Sequence, residues 1–96
     1  MDRLVPTKLD GIASCVLLKT ANGSATLFAI AEGEGLGEHA ASHEALIVVV
    51  EGEADVEIQG DSHVVRGDET IRLPAAAPHA VRALTDLRFF LILLHA

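Results

Sequence analysis

GEHAASHEALIVVVEGEA, residues 37–54, sets His39, His43 and Glu44 just ahead of an unbroken apolar run that closes at Glu51–Gly52. A second fragment, RGDETIRLPAAAPHAV at 66–81, brings in His79 after a turn marked by Pro74 and Pro78. How the apolar run folds decides whether these histidines can meet. ALIVVV is too short for an ordinary buried helix, is rich in valine, and is bounded by turn residues. It reads as a strand.

The same reading extends outward. Asn22–Gly23, Gly33 to Gly37, Gly52, Gly60–Asp61, Gly67–Asp68, Pro74 to Pro78 and Thr85–Asp86 punctuate the chain at short, fairly regular intervals. Between them lie β-branched segments, and the pattern predicts strands over 12–19, 25–31, 45–51, 54–59, 62–66, 69–73, 79–84 and 87–95. Such spacing is the mark of an all-β sandwich or barrel. ADVEIQG (54–60) alternates, with Ala54, Val56 and Ile58 on one face and Asp55, Glu57 and Gln59 on the other, as a half-buried strand does. Gly60–Asp61 is expected to turn the chain tightly into the next strand. ALIVVV and FFLILL (89–94) are apolar on both faces, so their outer faces are expected to pack on a second sheet or a second subunit, and a homodimer is the expectation.

Composition narrows the class. Ninety-six residues make one domain, and half of them are apolar although only Phe28, Phe89 and Phe90 are aromatic, so the core must be aliphatic. The net charge of −7 repels phosphate backbones and argues against nucleic acid as a partner. The longest apolar run falls far short of the ~20 residues that span a bilayer, and MDRLVPTKLDG lacks the apolar core of a signal peptide, so no membrane partner and a cytoplasmic location are expected. The lone Cys15, in IASCVLL, reads as a small buried thiol.

Taken in order, a histidine ahead of an apolar strand and EGE (51–53), then G-D … P-x4-H-A-V (67–81), resemble the two motifs of the cupin superfamily. The resemblance covers about Gly33 to Leu84 and implies a double-stranded β-helix, or jelly-roll barrel, over residues 1–96, of the RmlC-like type, whose mouth can hold a metal and a small ligand. His39 and Gly52 match the first motif; Gly67, Pro74 and His79 match the second. The departures are as informative. Ala41 and Ala45 stand where the family has a second histidine and a glutamate, Ala76 replaces a glycine, and one additional residue lies between Gly67 and Pro74, which a β-bulge can absorb.

Neutral imidazoles suit a divalent transition metal such as zinc, nickel, iron, copper or manganese, and a useful site has at least three protein ligands. His39 and His79 need a third, and the candidate set is His39, His43 and His79. In one extended strand His39 and His43 would sit ~13 Å apart at ~3.3 Å per residue, so coordination requires HAASHEA to bend; Glu44 or Glu38 are the further candidates. Otherwise His39 and His79 line the mouth without metal and His43 is solvated. His63 reads as a surface residue, His95 as a terminal or interface residue, and Glu51, Glu53, Asp55 and Glu57 as a solvated rim rather than a catalytic carboxylate pair. GEGLG (33–37) has no following helix or cation, so it is a weak anion loop. Three functions stay open: a small-molecule-binding barrel, a metal-dependent enzyme of oxygenase or isomerase type, and an oligomerisation module with a filled interior.

Overall fold

The computed structural model describes residues 11–39 and 43–94, His39 through its backbone. Every regular element among them is a strand: β1 (Ile12–Thr20), β2 (Gly23–Ile30), β3 (Gly35–His39), β4 (Ala45–Glu51), β5 (Glu53–Ile58), β6 (Asp61–Arg66), β7 (Thr70–Leu73), β8 (His79–Ala83) and β9 (Leu87–Leu94). No helix of the described residues is long and apolar enough to cross a membrane. Two antiparallel sheets form, a five-stranded one in the order β1-β2-β9-β4-β7 and a four-stranded one in the order β3-β8-β5-β6. The chain passes repeatedly from one sheet to the other, which is the connectivity of a jelly roll.

The sheets face each other across an aliphatic core. Ile47, Val49, Phe89, Leu87 and Ile30 from the larger sheet meet Ala54, Val56, Val65, Val81 and Ala83 from the smaller, all buried. Phe28 and Phe89 are cross-strand partners whose rings stack with centroids 5.2 Å apart, so two of the three aromatics form the widest layer of this core. The alternation read in β5 holds: Ala54 and Val56 are fully buried, whereas Glu57 is exposed.

One end of the barrel is closed by backbone. Glu53 N–H donates to Thr85 Oγ1 (3.0 Å), Glu32 N–H to Asp86 Oδ1 (2.9 Å) and Gly67 N–H to Gly52 O (3.1 Å). Gly52 has a φ of 93°, in the left-handed region, and a Cβ there would collide with the Asp86 carbonyl. The EGE glycine is therefore a packing requirement of the β4–β5 and β8–β9 turns. The additional residue between Gly67 and Pro74 is taken up here too. Asp68 N–H donates to Val49 O (2.8 Å) and Val49 N–H donates to Glu69 O (2.9 Å), so two residues oppose one, with Asp68 at a φ of 69°. That is the geometry of a bulge.

Four readings need correction. β3 went unread because Gly33, Gly35 and Gly37 look like turn residues, whereas Gly35 and Gly37 belong to an edge strand. The β5–β6 turn is Gln59–Gly60, with φ of 50° and 87°, one residue earlier than expected; this pair of positive φ values suits a tight hairpin. Cys15 is only half-buried, because β1 is an edge strand and not a core strand. β4 and β9 are neighbours in one sheet, so the smaller sheet covers only the inner of their two apolar faces.

Gly52→Ala should lower stability by about 2 kcal/mol or more, since both the backbone conformation and the space are denied. Thermal unfolding followed by far-ultraviolet circular dichroism checks this; a loss below about 0.5 kcal/mol would mean that the turn relaxes freely.

Candidate functional site

The end opposite Gly52 gathers the sequence motifs. β7 leaves the larger sheet at Leu73, the turn 74–78 crosses over, and β8 enters the smaller sheet at His79. β3 ends at His39 in the smaller sheet, and β4 begins at Ala45 in the larger. On the ladders His79 lies between Ile58 of β5 and position 39 of β3, while Ala45 lies between Leu73 and Leu93.

The crossing turn is well tied. Ala77 N–H donates to Pro74 O (3.3 Å) and Gln59 N–H to Pro78 O (2.8 Å). Ala76 takes a φ of 64°, the left-handed conformation. That explains why the related motif has glycine at this position: a Cβ makes this conformation costlier.

His79 is the chemically informative side chain. It is 4% exposed, one of two buried polar or charged residues among those described, and its Nδ1 lies 3.2 Å from Ala77 O. A carbonyl oxygen cannot donate, so this contact requires the proton on Nδ1, and a neutral ring then carries its lone pair on Nε2. Metal-ligating imidazoles are commonly oriented by a backbone carbonyl in this way. Nothing in the sequence pointed to Ala77 O as the partner.

Position 39 reaches the same ladder through an irregularity. Leu36 pairs with Val81 and His39 with His79, so three steps along β3 match two along β8. The side chain of His39 and residues 40–42, Ala41 included, lie outside the described residues. The chain does change sheets between His39 and Ala45, so the two predicted histidines do not share one extended strand.

The other candidates fall away from the mouth or are engaged. His43 is exposed. Glu44 is ion-paired with Arg72 at the β7 edge. Glu38 and His63 are exposed, and His95 lies outside the described residues. Glu51 pairs with Arg88 (2.7 Å), Glu53 with Arg66 (2.9 Å), and Asp55 accepts a hydrogen bond from Ser62, which makes these acids structural. No group of three or more His, Cys, Asp or Glu gathers among the described residues, a count that leaves out the His39 side chain. As a fit for a metal, the described mouth thus offers one oriented imidazole, with Ala45, 2% exposed, where the related motif has a carboxylate.

Ala45, Leu73, Leu93 and Ile58 belong to the main apolar cluster, so the surroundings of this end are hydrocarbon. GEGLG, by contrast, borders a depression of about 320 Å³ on the outer face of the smaller sheet, where Asp55 and Glu57 sit beside Arg82. Two carboxylates there disfavour an anion, in keeping with the sequence reading.

The profile described as Cupin domain matches residues 26–94. A conserved protein of unknown function from Streptococcus pyogenes superposes with a TM-score of 0.87 at 25% identity, over 93% of this chain and 78% of that one. A cupin superfamily protein from Desulfitobacterium hafniense gives 0.92 at 20% identity, over 100% and 88%. A cupin 2 conserved barrel domain protein from Leptotrichia buccalis gives 0.90 at 33% identity, over 98% of this chain and 46% of that one. No curated protein matches the chain.

Ala76→Gly should stabilise the protein by about 0.5–1 kcal/mol, raising the melting temperature by roughly 2–8 °C. Differential scanning calorimetry measures it, and an unchanged or lower melting temperature would show that the turn does not hold Ala76 in the left-handed region.

Proposed function

The chain belongs to the Cupin domain family, and from that premise we propose that it binds a small organic molecule at the barrel end where β8 begins, with His79 as the group that orients it. The observation that carries this reading is the imidazole itself: buried, and held by Ala77 O so that Nε2 carries the lone pair. Burying a polar ring in a hydrocarbon setting costs free energy that an apolar residue would not, and the cost is understandable where the ring has a recognition task. A mostly apolar ligand with a hydroxyl or N–H to donate suits the hydrocarbon setting and the imidazole found among the described residues.

A second reading rests on the β3–β8 register. It places the backbone of His39 across from His79, and a site of His39, His43 and His79 would hold a divalent transition metal. When bound, such an ion supplies Lewis-acid or oxygen chemistry of the oxygenase or isomerase kind. His43 would have to turn inward from its exposed position. The substitution of Ala45 for a carboxylate favours the first reading.

Protein purified without a histidine tag, incubated with iron, nickel, zinc, copper or manganese and desalted, should retain well under one metal per chain by plasma mass spectrometry. Stoichiometric metal that disappears in His79→Ala would replace the first reading with the second. In a thermal-shift screen of small hydroxylated and amide-bearing compounds, a hit at 100 times its Kd should add about 2.7 kcal/mol of stability. His79→Ala should abolish that shift while leaving the fold intact; a shift untouched by the variant would place the ligand elsewhere.

A further inference from the structure

We propose that the outer face of the four-stranded sheet holds a binding site for a small basic amino acid, in the depression between β3 and β5. His79 pairs with Ile58, which packs against the core, so this site lies on the opposite side of the sheet and goes beyond the reading given for His79. Residues paired across antiparallel strands project to the same side. Ala54 and Val56 are buried in the core, so Asp55 and Glu57, which alternate with them, face outward. Asp55 pairs with Arg82 and Glu57 with Ala80, and Arg82 in turn pairs with Gly35. Charged side chains therefore rise beside a strip, Gly35, Gly37 and Ala80, that offers at most a methyl group, and the hollow between them measures about 320 Å³. That volume falls at the lower end of the range for small-molecule sites.

Gly37 is the residue that points to a ligand. Alone among the described glycines, it has neither a left-handed φ nor an atom within 4 Å of where a Cβ would stand. Gly35, by contrast, is required by its contact with Val81 O, and Gly33 by a φ of 86°. Glycine weakens a strand interior, and it often marks a place where a ligand comes close to the backbone. A side chain at position 37 would stand in the hollow, so glycine keeps it open.

The charges define the ligand. Of the four described arginines, Arg66, Arg72 and Arg88 are ion-paired with Glu53, Glu44 and Glu51. Arg82 forms no such pair among the described residues, although Asp55 stands directly across from it and Glu57 diagonally. Asp55 accepts a hydrogen bond from Ser62 instead, and the Glu57 carboxylate has no partner among the described residues. A guanidinium facing the hollow takes a carboxylate in its planar fork, and the two acids take cationic groups. Two negative charges against one positive call for a ligand of net charge +1, with one carboxylate and two ammonium groups. That is the composition of a free basic amino acid such as lysine. Diagonal neighbours lie ~7–8 Å apart at the backbone, a span that one amino acid bridges. A lysine within a peptide lacks the carboxylate for Arg82, and a dicarboxylate would be repelled by Asp55 and Glu57.

Isotope-labelled protein titrated with L-lysine at low ionic strength should show, by heteronuclear NMR, saturable shifts at Gly35, Gly37, Ala80 and Arg82. A Kd of ~1 mM is expected, weak because the site is open to solvent. Norleucine, which lacks the side-chain ammonium, should bind about tenfold more weakly, as should lysine to Glu57→Gln. The ratio of lysine to lysine methyl ester affinity should fall about tenfold in Arg82→Gln, because the ester offers that fork no carboxylate. Glu57 and Arg82 are exposed, so both variants keep the fold. Gly37→Leu should abolish the shifts with a melting temperature at or above that of the wild type. His79→Ala should leave lysine binding unchanged, so that this site and a ligand at the barrel end fail separately. No saturable shift up to about 20 mM lysine, an ester ratio that Arg82→Gln leaves unchanged, or full binding by folded Gly37→Leu would each overturn the proposal.

Discussion

Two adjacent strands that are apolar on both faces cannot satisfy themselves with one core. β4 and β9 are such strands, paired through Ala45↔Leu93 to Val49↔Phe89 at the centre of the larger sheet. Their inner faces account for the barrel: Ile47, Val49 and Phe89 are at most 1% exposed and pack against Val56, Val81 and Ala83 of the smaller sheet. Burial of each such side chain contributes on the order of 1.5–3 kcal/mol, so this layer dominates what holds the two sheets together. The outer faces are left with the same hydrocarbon and no third layer of strands over them among the described residues. The molecule is in consequence polarised, with acids on the face of the four-stranded sheet and apolar rows on the face of the five-stranded one.

Strand identity was legible where side chains carry it. β4, β5 and β9 declare themselves through valine content, alternation and two-sided apolarity; β4 has the expected limits, β5 lies one residue earlier at both ends, and β9 ends one residue earlier. β3 was illegible because its outward positions are glycine; Gly35 sits so close to Val81 O that a Cβ would collide with it. Pairing geometry, not propensity, put a strand there. Cys15 misled for the opposite reason. IASCVLL has the composition of an interior strand, but β1 occupies a sheet edge, and edge position is a property of topology that no local window contains.

At the candidate site the sequence located the histidine and the turn but not the contact that gives the histidine its chemistry. His79 could be anticipated from its place after Pro78 and from the resemblance of that motif; its hydrogen bond could not, because Ala77 contributes only a carbonyl, which every residue possesses. The bulge at Asp68 was readable as one surplus residue between Gly67 and Pro74, since an insertion in a strand of fixed pairing must leave two residues facing one. Ala76 shows how a departure from a motif can keep the backbone and lose only the ease of adopting it.

The two ends of the barrel have opposite constraints, and this decides where binding chemistry can be built. At the Gly52 end, closely packed turn backbone, Thr85 Oγ1 and the Asp86 carboxylate satisfy one another, so a ligand would have to break bonds that the fold uses. At the His79 end the backbone bonds of the turn, Ala77 to Pro74 and Gln59 to Pro78, lie within the connection itself and hold a side chain in place. Alanine at position 45 removes a carboxylate from that surface, and Leu73 and Leu93 flank it with hydrocarbon. On the proposed reading, an imidazole with one nitrogen held by backbone would orient a ligand through a hydrogen bond while apolar contact supplied most of the affinity. Specificity would then follow from the shape of the aliphatic residues at that end, Ile58, Leu73 and Leu93, more than from added charge.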